Sequence, residues 1–94
     1  MDKKSTPTID QQIAQKREEL TQAQITQTDA YSEYMKVMKA KTIVSKDDTE
    51  KIDKLDKLMF NHFTTYQHAL EDAQKLEVEL SELEAQKYLE DILS

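Results

Sequence analysis

Ten positions from Ile52 to Leu83 (Ile52, Leu55, Met59, His62, Tyr66, Ala69, Ala73, Leu76, Leu80 and Leu83) follow one another at alternating steps of three and four residues. An α-helix turns once in 3.6 residues, so this spacing holds all ten on one narrow face, and such a face fits a partner helix. All but His62 are apolar or aromatic. The pattern constrains architecture strongly and chemistry hardly at all.

Composition supports a chain that buries stripes rather than a centre. Of its 94 residues 37% are hydrophobic and 34% charged, and tryptophan is absent. That is little core material for one domain. Glycine is absent too, which removes the residue that phosphate-cradling loops, dinucleotide fingerprints and the calcium loop all require. Without cysteine there is no disulfide framework, thiolate zinc site or cysteine nucleophile. No apolar run nears the roughly 20 residues of a membrane span, and Met1 to Ile9 lacks a signal peptide's apolar stretch. We expect a soluble, cytoplasmic protein with no membrane insertion, whose export, if any, uses a route independent of a signal peptide.

Charge is concentrated at one end. Glu71 to Ser94 holds eight acids and two lysines, a balance of −6 that equals the net charge of the whole chain. Lys36, Lys39, Lys41, Lys46, Lys51, Lys54 and Lys57 gather near the middle, interleaved with Asp47, Asp48, Glu50, Asp53 and Asp56. A nucleic-acid footprint is a clean basic face, so none is expected here.

Met1 to Pro7 is polar, contains the only proline and lacks periodicity, and reads as a disordered leader. Thr8 and Gln11 have capping-box spacing, which starts a first helix over about 8–44. Its stripe includes Ile13, Leu20, Tyr31 and Met38, with gaps at Lys16 and Gln27. Ser45, before Lys46-Asp47-Asp48, punctuates a turn over about 44–46 and caps a second helix over about 46–93. Asp47 with Lys51, Glu50 with Lys54 and Asp53 with Lys57 add acid-before-base pairs four apart. So short a turn makes the two helices antiparallel.

The expected fold is therefore all-α, a coiled-coil-like antiparallel hairpin. Folding about Ser45 pairs residues whose numbers sum to about 90: Met38 with Ile52, Tyr31 with Met59, Leu20 with Leu70, Ile13 with Leu76, Ile9 with Leu80. Two helices leave half of each side chain wet, so a bundle completed by a partner is expected. Residues 26–29 and 61–65 are weak helix formers and are candidate kinks; a break at Thr26 or Thr28 would give three helices instead.

No constellation carries catalysis. The carboxylates lie along solvated faces, no nucleophile adjoins an oriented base, and His62 and His68, six apart, occupy different faces without metal-ligand spacing. We expect no enzyme activity, cofactor, metal or small-molecule ligand. Gln27 and His62, opposite one another in the expected register, read as a polar layer that fixes register, sensitive to mild acid if His62 is desolvated. Tyr31, Tyr34, Met59, Phe63 and Tyr66 read as core.

The C-terminus breaks the pattern. Beyond Leu83 the seam would continue at the charged Lys87 and Glu90, while Ala85, Tyr88, Leu89 and Ile92 form a new stripe with Leu93 alongside. Leu83, Tyr88, Leu89, Ile92 and Leu93 are thus the candidate partner-binding residues, anchors for a partner's groove.

An acidic hairpin of this length with an apolar C-terminal extension resembles the WXG-type small proteins of type VII secretion and the hairpin partners of LXG effectors. Where the former carry Trp-x-Gly this chain reads Thr42-Ile43-Val44-Ser45, and Tyr88 is followed by Glu90 and Asp91 rather than by an acid four residues on. The resemblance implies a targeting partner or chaperone that packs along a helical effector. Two other readings stand beside it: a self-associating coiled coil forming a homodimeric four-helix bundle, and an acidic regulator masking a nucleic-acid-binding protein.

Overall fold

The computed structural model describes residues 6–94, so most of the expected leader lies outside the described residues. Two helices follow, α1 over Ile9–Thr42 and α2 over Thr49–Leu93, packed as an antiparallel hairpin measuring 70 × 31 × 13 Å.

Local chemistry fixes the start of α1 as the sequence implies. The Thr8 hydroxyl accepts from the Gln11 amide at 3.1 Å, and the Gln11 side chain accepts from the Thr8 amide at 2.9 Å. That reciprocal pair satisfies two donors at the helix start that have no partner within the helix. At the far end the amides of Ile43 and Val44 donate to the carbonyls of Ala40 and Lys41, three residues back, tightening the last turn. No described residue has positive φ, so this glycine-free chain reverses direction without a left-handed residue.

The turn is longer than expected. It spans residues 43–48, and Asp48 rather than Ser45 caps α2, its carboxylate accepting from the Lys51 amide at 3.1 Å. Ser45 instead closes a tight turn, its carbonyl accepting from the Asp48 amide and its hydroxyl from the Asp47 amide. Lys51 accordingly pairs with Asp48, not Asp47, while Glu50–Lys54 and Asp53–Lys57 form as expected. Both helices run unbroken through the two weak stretches, which excludes the three-helix alternative. At Asn61–Thr65 the Thr65 hydroxyl donates to the Asn61 carbonyl four residues back, which satisfies the hydroxyl without breaking the helix.

The register differs from the expected one. Cross-helix partners are Asp10 with Lys87, Lys16 with Glu79, Tyr31 with Tyr66, Tyr34 with Phe63 and Lys41 with Asp56, numbers that add to about 96. Tyr31 thus meets Tyr66, one heptad beyond Met59. Two causes act together. Side chains lean toward the N-terminus of their own helix, so two antiparallel residues that meet both lie further along the chain than their backbone level suggests. The extra turn residues also delay the start of α2 to Thr49.

Burial traces the seam on both helices. On α1 and just past it, positions 9, 13, 16, 20, 23, 27, 30, 34, 37, 41 and 44 are each at least half-buried, and on α2 so is every seam position from Ile52 to Leu83, then Lys87. Lys16 and Gln27 are therefore members of the stripe, not gaps in it. Tyr31 and Met38, expected on the seam, lie one residue past it, and Ala30, Tyr34 and Val37 take their place. Among the described residues only Ile13, Ala30, Ala69 and Ala73 are buried, and no large side chain is completely enclosed. Three of the four are alanines near the middle, where small side chains let two backbones approach.

Candidate docking surfaces

Each residue that follows a seam position falls on one broad face of the hairpin, and each that precedes one falls on the other. Arg17 and Glu84, which follow Lys16 and Leu83, demonstrate the first case with an ion pair of 2.8 Å. Lys16 and Glu79, the latter preceding Leu80, bond at 2.9 Å on the second face.

The preceding face is mostly polar, with Gln12, Gln15, Glu19, Gln22, Thr26, Asp29 and Glu33 on α1 and Asn61, Thr65, His68, Asp72, Lys75 and Glu82 on α2; near the turn the exposed Ile43 and Leu58 interrupt it. Some of its charges pair locally, Glu19 and Glu79 with Lys16 and Glu33 with Lys36. The Lys16 ammonium bonded to Glu79 holds that carboxyl below its ordinary pKa, and Lys36 does the same to Glu33. The following face differs. Near the turn it presents Tyr31, Met35 and Met38 from α1 beside Phe60, Phe63 and Leu70 from α2, with Asp53 and Asp56 closing the end next to the turn. Tyr31, Met35, Phe60 and Phe63 are between 41% and 70% exposed. Rings join across the helices at centroid distances of 5.6 Å for Tyr31–Tyr66 and 5.7 Å for Tyr34–Phe63. Of the aromatic zone expected as core, Tyr34, Met59 and Tyr66 are half-buried on the seam, whereas Tyr31 and Phe63 lie on this exposed face.

A second apolar surface lies at the C-terminus. Lys87 occupies the seam, bonded to Asp10 at 2.7 Å, and the Asp10 carboxylate raises the lysine's pKa. Val78, Ala85, Tyr88 and Ile92 recur at helical spacing on the side of α2 turned away from α1. Val78, Tyr88, Leu89, Ile92 and Leu93 are between 53% and 80% exposed. In the observed register α1 reaches the level of Lys87, so the unaccompanied overhang is the last turn only. Exposure of Tyr88 and Leu89 follows instead from the side they occupy.

Two expected site assignments change. Leu83 is half-buried, level with Ile13, and belongs to the hairpin rather than to the tail surface. Gln27 and His62 do not form one layer: Gln27 lies a turn above Tyr31 and His62 a turn below Tyr66, about 12 Å apart along the hairpin. Gln27 lines a groove with Thr28, Tyr31 and Tyr66, whereas the charge near His62 is Glu33. Among the described residues no three His, Cys, Asp or Glu side chains converge as a metal site would require, and no helix is long and apolar enough to cross a membrane.

Val78, Met35 and Phe60 were missed as surface residues. Their signal is present in the sequence, as apolar residues off the seam, and becomes readable once the seam is fixed. No protein-family model, curated protein or solved structure matches the chain.

Proposed function

We propose that the chain is a non-enzymatic helical adaptor that packs along another helical protein through its C-terminal tail. One observation carries this reading. Over Val78 to Ile92 α2 has two apolar stripes on opposite sides, Leu80 and Leu83 toward α1, and Val78, Ala85, Tyr88 and Ile92 away from it. A helix with two such stripes is suited to lie between two others.

By the resemblance noted above, the partner is the helical domain of an LXG-type effector, and the role is that of targeting partner or chaperone. It acts in the cytoplasm, with export alongside the partner by a signal-peptide-independent route.

The test is co-expression with helical proteins encoded beside it, followed by size measurement. A defined complex is expected with the full chain and with none of Tyr88→Lys, Ile92→Lys or a truncation after Gln86, each retaining the hairpin's helicity. Equal capture by all three variants would show that the tail is not the docking element, and no complex with any neighbour would remove the adaptor reading.

A further inference from the structure

The seam positions of the two helices mate in layers whose numbers add to about 96, from Ile9 opposite Lys87 to Val44 opposite Ile52. Both seams step by three and four in alternation, so a slide of seven residues brings every surviving position opposite another. We propose that the hairpin is a two-register device. In the second register α2 stands one heptad, about 10.5 Å, further out along α1, and the layers add to about 89.

The layers themselves support a second register. In the observed one Ile9 lies opposite Lys87, Gln27 opposite Ala69 and His62 opposite Tyr34, so polar groups face apolar or aromatic ones. After the slide Ile9 meets Leu80, Gln27 meets His62 and Tyr34 meets Leu55, which joins polar to polar and apolar to apolar. The acids that bridge the helices are duplicated at the same interval. Lys16 bonds Glu79 and Arg17 bonds Glu84, and a heptad before those acids stand Asp72 and Glu77.

The turn can follow such a slide. It moves the reversal of the chain toward the N-terminus by half as many residues, and Ser45 stands close to that distance before Asp48, the cap of α2. The Asp48 amide already donates to the Ser45 carbonyl at 3.0 Å and the Asp47 amide to the Ser45 hydroxyl at 3.3 Å, a turn ready to join α2 with Ser45 as its cap. On the other side the amides of Ile43 and Val44 reach carbonyls only three residues back, so the end of α1 is where the helix unwinds most readily.

The observed register is the more populated. It holds the further layers Lys41–Leu55 and Val44–Ile52 and the Asp10–Lys87 and Lys41–Asp56 ion pairs, none of which survives the slide. In the second register α1 ends level with Leu80, so Leu83 and Lys87 lose their cover and the overhang of α2 grows by about 10.5 Å. The slide thereby sets how much tail is offered to a partner; that consequence rests on the adaptor reading, whereas the two registers do not.

Spin labels on Gln24→Cys and Gln86→Cys, in a chain without other thiols and diluted with unlabelled protein, measure the equilibrium by pulsed electron resonance. The labels stand about 21 Å apart along the axis in the observed register and about 32 Å apart in the second. The longer separation is expected in less than about a tenth of the parent molecules. Asp10→Asn, Lys41→Gln and Asp48→Ala together remove contacts made only in the observed register and should raise that fraction at least about threefold. Adding Asp72→Asn and Glu77→Gln should lower it again. Fraying beside the turn would leave the label separation unchanged, so it does not mimic the slide. A single short separation in the triple variant, or a long one indifferent to the two added substitutions, would overturn the proposal, and because no partner is present either result leaves the adaptor reading standing.

Discussion

Ile13 and Ile25 are the same residue type on the same helix, twelve positions apart, and should respond to truncation in opposite ways. Ile13 is 5% exposed on the seam opposite Leu83, whereas Ile25 is 47% exposed on the outer edge. Ile→Ala removes three carbons, which at about 0.8 kcal/mol per buried methylene costs about 2.4 kcal/mol at position 13. A cavity adds to this, but Leu83 and Lys87 are only half-buried and can settle into the gap, so the total stays near the lower end of the 2–5 kcal/mol seen for such truncations. For a chain of this size that is a fall in Tm of roughly 10–20 °C. At position 25 the transfer loss is small, and alanine's better helix propensity offsets part of it, leaving a change within about 0.5 kcal/mol. Thermal and urea unfolding followed by circular dichroism at 222 nm, on dilute protein to exclude association, measures both. The reasoning fails if the two substitutions cost the same, or if Ile13→Ala costs less than about 1 kcal/mol, because the seam would then not be what holds the hairpin together.

Two further outcomes follow from individual contacts. Thr8→Ala removes half of the capping box and should cost about 1 kcal/mol, with Thr8→Ser close to neutral, both read from the same unfolding curves. The Glu79 carboxyl, bonded to the Lys16 ammonium, is held below the ordinary carboxyl value of 4.5, so its contribution is present above that pH and is lost as pH falls through the lower folded-state value. The stability difference between the parent and Glu79→Gln should therefore be visible at neutral pH and vanish in stronger acid; a difference constant down to pH 2 would mean that the ion pair contributes nothing.

Much of the fold is legible in the sequence for a definite reason. Helical period, capping box and charge placement are local properties, and each acts over no more than a turn or two. The start of α1 at Thr8 and the three–four spacing on α2 needed no tertiary information. The turn was misread because Ser45 and Asp48 are both good caps three residues apart, and their local chemistry does not distinguish a turn closed by one from a helix opened by the other. The candidate tail surface was legible because Lys87 breaks the stripe, but the role of Leu83 was not, since its partner Ile13 is set by register.

Sequence alone determined that two long helices pair along a heptad seam, that they do so without glycine, and that the last stretch turns an apolar side elsewhere. Tertiary structure decided which residues meet. A seam that repeats every seven residues is nearly indifferent to a slip of seven, so Tyr31 could face Met59 or Tyr66 on periodicity alone. The six-residue turn and the inclination of side chains select the second. That selection separates Gln27 from His62, commits Leu83 to the hairpin, and leaves Tyr31, Met35, Phe60 and Phe63 together on one open face.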